Sequence, residues 1–411
     1  MSSTVLLCPP APSQASLRDA FVALVGTQAW AGRLRDISRR AECGTRIAQL
    51  LRQRHAIELT IDRLPFGPMT PRPLPAAQRL SELIGAVVAL ERRLPPAGRC
   101  RLAEAIQAGL TGDGTLVPIF HLVRIAELQE QRGFSVHFAG LCEGEPFDLL
   151  LSRGGITAEV ACDVVSADTG RDVQRAAWHD FADRIEPAMQ SWLARHDGGY
   201  LLRITLPSGL REGAEEATGS PSPHSLHSRV RRMLERGCRR DDDAAGVLRL
   251  DPLPGALIRS GGQALLAGLR QEFGPEVHLC VTMGGDGKGA FAVAARAGRA
   301  NEVGAAVCRR MASLPPTRLT GTRPGILAML VEDIDRAEWR SLLERLEMEV
   351  EARRFLVGAA ARAVVAVSCA SRFELLGLAR DSSPEGELRF RNASHPAARL
   401  PALAPAVLSP V

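Results

Sequence analysis

The chain has 411 residues, of which 45% are hydrophobic and 24% charged, with a formal net charge of +5; this is an ordinary globular composition with room for two or three domains. So mild a basic excess permits nucleic-acid binding without arguing for it, because a strong electrostatic footprint is a clustered patch and not a small overall surplus. No apolar run approaches the roughly 20 residues of a membrane span, and the start M-S-S-T-V-L-L-C-P-P lacks the basic residues and long apolar core of a signal peptide. The expectation is therefore a soluble, cytoplasmic protein with no membrane partner. The nine cysteines form no C-x-x-C pair and have no histidine at zinc spacing, so they read as reduced and mostly buried.

In chain order, residues 1–112 read as a helical region. Leu17, Phe21, Leu24 and Val25 share one face, and Ile47, Leu50 and Leu51 lie on a later helix. A proline-rich connector at 64–76 interrupts them. Helices resume over Leu80–Leu94 and Ala97–Leu110, and their apolar faces call for a partner, most simply the segment that follows.

That segment, 113–210, carries the densest pattern. Leu116, Ile119, Phe120, Val123 and Ala126 recur at helical spacing up to Gly133, and a short strand follows over Phe134–Phe138. The run L-L-L after Asp148 and the run I-T-A-E-V-A-C-D-V-V-S flank Gly154-Gly155, so they read as an antiparallel hairpin. Period-two alternation in the second run places Ile156, Ala158, Val160, Cys162 and Val164 on one face. The other face carries Thr157, Glu159, Ala161 and Asp163, which brings Asp148 near Glu159 or Asp163. A second helix, with Val173, Ala177, Phe181, Ile185, Met189 and Trp192 in register, leads to a strand over Tyr200–Leu206.

The order helix, three strands, helix, strand over 115–206, with an Asp entering the middle strand and an acid on the next, resembles the PD-(D/E)XK nuclease superfamily. The resemblance implies a restriction-endonuclease-like α-β-β-β-α-β core in an α/β protein, and Mg²⁺-dependent phosphodiester cleavage, usually of DNA. It implies Asp148, Glu159 and Asp163 as the catalytic acids and Asp148 with Glu159 as the metal ligands. The chain departs from the motif at Ala161, which stands where the family has Lys. In the alternative register Asp163 takes the Lys position and Ala161 that of the acid, so neither register is complete.

The chemistry explains why this departure matters. Hydrolysis needs a metal that polarises the phosphoryl oxygen and lowers the pKa of the attacking water, and Mg²⁺ wants carboxylate oxygens. The Lys orients that water and stabilises developing charge. Lys288 is the single lysine of the chain, far along the sequence in G-G-D-G-K-G, whose spacing fails the phosphate-loop pattern. Arg171 and Arg175 offer charge but no base, because guanidinium stays protonated.

Arg171, Arg175 and His179 are spaced by four, which suits either a phosphate-tracking helix face or a solvated one. From 211 to 252 the chain reads as a flexible loop and an Arg-rich helix. Arg229, Arg232 and Arg236 are candidate nucleic-acid contacts, or partners for the acidic tail Asp241, Asp242 and Asp243. Residues 253–411 alternate strand and helix as a C-terminal α/β region. It contains strands over Val277–Met283, Ala290–Ala295, Ile326–Val331 and Ala363–Cys369, and a long helix over Arg336–Arg353. Three functional readings stand open: a metal-dependent nuclease, a silent relative that binds nucleic acid, and a structural or partner-binding protein on the same scaffold.

Overall fold

A computed structural model of the chain describes residues 14–41, 44–64, 75–211, 221–285, 289–378 and 387–408. Most of the proline-rich connector, most of the loop before the Arg-rich helix, and Lys288 lie outside the described residues. The fold is mixed α/β and is built on two mixed sheets.

The strands in chain order are β1 (Ser135–His137), β2 (Leu149–Arg153), β3 (Ile156–Ser166), β4 (Gly199–Leu206), β5 (Arg240–Asp243), β6 (Gly246–Leu253), β7 (His278–Met283), β8 (Ala290–Ala297), β9 (Gly325–Glu332), β10 (Val364–Ser371) and β11 (Leu388–Arg391). The first sheet has the order β1-β2-β3-β9-β10-β11. Its middle strands β3, β9 and β10 are parallel, and the outer pairings are antiparallel. Strands β9 and β10 read as near-continuous apolar runs and are buried along almost their whole length, as parallel strands covered on both faces should be.

The two faces of this sheet build two cores. On one side, Leu149, Leu151, Ala158, Val160, Ile326 and Leu330 pack under the helices Pro75–Arg93 and Val117–Gln131, together with Phe21, Leu83, Val87 and Phe120. On the other, Ala161, Leu327, Met329, Val367 and Cys369 meet Val307, Met311, Trp339 and Phe355 of the helices Val303–Ser313, Arg336–Glu344 and Glu347–Leu356. The second sheet has the order β5-β6-β4-β8-β7. The helices Arg175–Leu193 and Pro223–Glu235 cover one of its faces, and Gly262–Phe273 packs against the other.

The hairpin of β2 and β3 forms as the alternation requires, with Gly154 and Gly155 at φ +55° and +75° in the turn. The expectation that Tyr200–Leu206 is the fourth strand of the same sheet is corrected: β4 is the middle strand of the second sheet, between β6 and β8. The neighbour of β3 is instead β9, entered from the helix Val303–Ser313. Both β4 and β9 are apolar runs of suitable length, and such a run carries its own conformation but not the identity of a distant partner. The C-terminal α/β region is correspondingly divided, with β7 and β8 joining the second sheet and β9 to β11 completing the first.

Two smaller differences have local causes. The helix expected over Arg336–Arg353 is two helices, Arg336–Glu344 and Glu347–Leu356, broken where Leu346 adopts a left-handed φ of 55°. The acidic tail Asp241–Asp243 belongs to strand β5, hydrogen-bonded to β6. Chain segments leaving and re-entering the first sheet cross at Gly170, where an added Cβ would lie 2.5 Å from Val303 Cα and 2.6 Å from the Glu302 carbonyl oxygen. The Glu302 amide donates to the Gly170 carbonyl there at 2.7 Å.

Candidate functional site: a row of acids closed by arginines

The β2–β3 register pairs Leu149 with Val160 and Leu150 with Glu159. Continued by one residue, it sets Asp148 beside Ala161, between Glu159 and Asp163 on β3. By alternation the three acids therefore belong to one face of the sheet. The ladder ends here: the Asp148 amide still donates to the Val160 carbonyl at 2.9 Å, and then the Asp148 carboxylate accepts from the Cys162 amide at 2.7 Å. The side chain thus takes over the role of a strand backbone and closes the end of the hairpin.

The segment from the end of the helix Val303–Ser313 to the start of β9 crosses this face and supplies a partner to each acid. Arg318 donates to Asp148 at 2.6 Å and to the Pro146 carbonyl at 2.8 Å. Arg310 grips Asp163 with two parallel hydrogen bonds of 2.5 and 2.8 Å, the bidentate geometry in which a guanidinium binds a carboxylate most strongly. Glu159 is fully buried and accepts from the Thr320 amide at 2.9 Å, from the Thr320 hydroxyl, and from Arg323 at 3.4 Å. A buried carboxylate costs far more when it is left unpaired, so this set of donors is what allows Glu159 to sit in the core.

Asp148 and Asp163 line a cleft of about 450 Å³ together with His121, Leu122, Leu141, Cys162 and Arg318. Burial pushes the Asp148 carboxyl above its ordinary value, Arg318 and the Cys162 amide oppose that rise, and the nearby Asp163 charge reinforces it. Arg310 is held above the usual guanidinium value, chiefly by its hydrogen bonds to Asp163. His121 donates through Nε2 to the Ala328 carbonyl at 2.9 Å. Because that acceptor is a carbonyl, the nitrogen carries the proton, and burial lowers the imidazole pKa to about 4. The cleft side of His121 is thus neutral.

The geometry decides the fit of Mg²⁺. The metal needs free carboxylate oxygens converging from two or three sides. Here the Glu159 oxygens are spent on Thr320 and Arg323, and Asp163 is clasped by Arg310. Asp148 receives both the Cys162 amide and Arg318 on Oδ2, which leaves Oδ1 alone for a metal that wants oxygens from two or three sides. Ala161, with no polar atom in its side chain, stands between the acids. The residues present do not fit a magnesium site, and Asp148 and Glu159 do not form a ligand pair. Among the described residues, the group of His, Cys, Asp and Glu side chains whose donor atoms lie within 4.8 Å of one another is His137, Cys142 and Glu143, none of them an acid of this row.

The candidate nucleic-acid contacts separate into two sets. Arg171 precedes the helix Arg175–Leu193 rather than lying on it, so the four-residue spacing is not a helical face. Its guanidinium is buried against Glu338, 3.0 Å from Nε, and Asp168. Arg175 donates to the Asp333 carbonyl at 3.1 Å and lies 3.7 Å from Asp335. Burial lowers the His179 pKa to about 4. None of these three offers a free cation to a phosphate chain.

On the helix Pro223–Glu235, Arg229 is clamped by Asp241 at 2.6 Å, by Asp243, and by the Gly246 carbonyl at 2.8 Å. Arg232 and Arg236, with Arg239 just beyond the helix, are exposed and have no ion-pair partner among the described residues. Two of the six arginines and histidines singled out in the sequence therefore remain available, and Arg239 joins them.

Residues that decide the character of the site, Arg310, Arg318, Thr320 and Arg323, carry no signal in the sequence as partners of the acids. The stretch R-L-T-G-T-R-P-G reads there as a turn entering a strand, which it also is. Among the described residues, no helix is long and apolar enough to cross a membrane. No known protein-family model matches the chain, and neither a curated protein nor a solved structure is significantly similar to it.

Proposed function

We propose that this chain is a nuclease-fold protein that does not hydrolyse phosphodiesters and works by binding. The nuclease-type reading is supported by the strand order β1-β2-β3-β9-β10, with an Asp at the end of the middle hairpin and acids along β3. The loss of hydrolysis rests on one observation: each acid of the row is already neutralised or saturated by a donor from residues 310–323. Displacing three arginine contacts to admit a metal would expose charges that burial already disfavours, and Ala161 supplies nothing to orient a water.

The test is incubation of the full chain with supercoiled plasmid, linear duplex and single-stranded DNA in Mg²⁺ or Mn²⁺. All three substrates are expected to stay intact. Metal-dependent cleavage that vanishes in D148N would overturn the proposal.

The binding surface that this reading favours is the set of exposed arginines at the helix end, Arg232, Arg236 and Arg239. Arg232 lies on the last turn of the helix, Arg236 caps it, and Arg239 follows the turn at Gly237, whose φ is +67°; cations without carboxylate partners are free to exchange counterions for phosphates. The partner it fits is the backbone of a nucleic acid. Electrophoretic mobility and fluorescence anisotropy with labelled duplex and single strands test this; loss of binding in the R232A/R236A/R239A variant is expected. Binding undiminished in that variant, or no binding by the parent chain, would leave a protein partner as the reading of the scaffold.

A further inference from the structure

We propose that His137, Cys142 and Glu143 form a binding site for a divalent cation of the zinc class that uses none of the acids of the row. The three residues come from two pieces of backbone. His137 ends strand β1, and Cys142 and Glu143 follow one another at the close of the short helix Ala139–Cys142. One donor atom from each lies within 4.8 Å of the others. His137 Nε2 already sits 2.9 Å from both carboxylate oxygens of Glu143.

Zinc–sulfur and zinc–nitrogen bonds of about 2.3 and 2.0 Å place the donors of a tetrahedral site about 3.3–3.6 Å apart. The observed cluster therefore needs only a small adjustment of side chains to close around a metal. Imidazole nitrogen, thiolate sulfur and carboxylate oxygen together select a borderline-soft ion and disfavour Mg²⁺ or Ca²⁺, which take oxygen alone.

The backbone of the turn is fixed independently of any ion. Arg101 donates to the carbonyls of Leu141 and Cys142 at 2.8 and 3.0 Å. Gly144 turns the chain with φ +77° directly over that guanidinium, where an added Cβ would lie 3.1 Å from Arg101 Nη2. Gly140 packs so closely on the next segment that a Cβ would lie 2.8 Å from the Phe147 carbonyl oxygen. A turn held at these points presents Cys142 and Glu143 together without the ordering cost that a mobile loop would incur on binding.

The side chains of His137 and Glu143 are each 51% exposed, so an ion has access from solvent. Three protein ligands leave the fourth tetrahedral position to water, the arrangement of zinc sites that remain open to exogenous ligands. The sequence pattern H-x₄-C-E carries the set, and it escapes notice because two of its members are adjacent and the carboxylate is not a ligand that cysteine spacing calls for.

The test uses the full chain, stripped with chelator and dialysed, titrated calorimetrically with Zn²⁺ and followed in the ultraviolet with Co²⁺ as a spectroscopic substitute. One equivalent of metal is expected at this site, with a thiolate-to-cobalt charge-transfer band that C142S abolishes. Even outer-shell partners are worth roughly tenfold to a hundredfold in metal affinity, so H137A and E143Q should each weaken Zn²⁺ by at least about tenfold. C100S and C238S, which alter exposed cysteines elsewhere, should leave the titration unchanged. Bound Zn²⁺ should also slow alkylation of Cys142, read by peptide mass spectrometry. Zinc uptake that is the same in the H137A/C142S/E143Q variant as in the parent, or absent from the parent, would overturn the assignment; far-ultraviolet circular dichroism of the triple variant shows that the fold is kept.

Discussion

Removing Arg318 tests whether the row of acids is a locked structural feature or a masked catalytic one. In R318A, Asp148 loses a hydrogen bond of 2.6 Å and the Pro146 carbonyl loses one of 2.8 Å. What remains for the carboxylate is the Cys162 amide. A hydrogen bond to a charged group contributes about 1.5–3 kcal/mol and a neutral one about 1 kcal/mol. The side chains of Arg318 and Asp148 are 29% and 24% exposed, so solvent screening removes part of the charged contribution, and a net loss of about 2–3 kcal/mol is expected. Urea unfolding should show it as a lower midpoint at unchanged slope. In the double-mutant cycle with D148N, the two changes should be less than additive by about 1–2 kcal/mol, because they remove the same interaction.

The pH dependence follows from the raised pKa of Asp148. A group whose folded pKa lies above its unfolded value of 3.8 stabilises the fold below that value and loses the contribution as pH rises through the folded pKa. Without Arg318 the rise is larger, so the cost of R318A should grow from acid toward neutral pH. An R318A variant as stable as the parent, or one that acquires Mg²⁺-dependent cleavage of DNA, would refute the reasoning.

Histidines shielded from water make the fold acid-sensitive. The pKa of His121 falls from 6.5 to about 4, with His179 at about 4 and His278 at about 3; depressed values give stability that is present above 6.5 and lost as pH falls through the folded values. For His121 the linkage amounts to roughly 3 kcal/mol, so the urea midpoint should drop steeply between neutrality and about pH 4.5 and less steeply in H121Q; a midpoint flat over that range would contradict the burial argument. At the crossing beside Val303, G170A should destabilise by about 1–3 kcal/mol through overpacking, and a neutral result in thermal unfolding would show that the crossing yields. If Arg232, Arg236 and Arg239 each neutralise one phosphate, the logarithm of the duplex binding constant should fall with the logarithm of salt with a slope of about −2.7, and each Arg→Ala change should reduce the slope by about 0.9; a slope near zero would exclude these arginines as phosphate contacts.

How far the fold is legible in the sequence depends on the range of the interaction. The hairpin from Leu149 to Ser166 is encoded locally, by two apolar alternations and a pair of glycines that accept positive φ. The helices Val117–Gln131 and Arg175–Leu193 follow from their apolar stripes and stop signals. The neighbour of β3 is not encoded in this way, because β9 begins at Gly325 and any apolar run of similar length satisfies the same local pattern. That is why Tyr200–Leu206 is recognisable as a strand but not as a member of the second sheet.

The site shows the same division. Alternation along β3 is enough to put Glu159, Ala161 and Asp163 on one face and to bring Asp148 to it. The arginines that close the row come from residues 310–323, and a charge pair across such a distance in sequence leaves no periodic trace. Cysteine burial was also poorly encoded: among the described residues Cys280 and Cys369 are buried, whereas Cys100 and Cys238 are exposed and Cys142, Cys162 and Cys308 are intermediate. A cysteine's spacing to other cysteines says little about its depth when no disulfide fixes it.

A crystal of the full chain soaked in Mn²⁺ reports the occupancy of this face directly through anomalous scattering. No manganese peak is expected between Asp148, Glu159 and Asp163, with Arg318 and Arg310 still seated on their carboxylates. A manganese ion bridging Asp148 to Glu159 or Asp163, with the arginines turned away into solvent, would contradict that expectation.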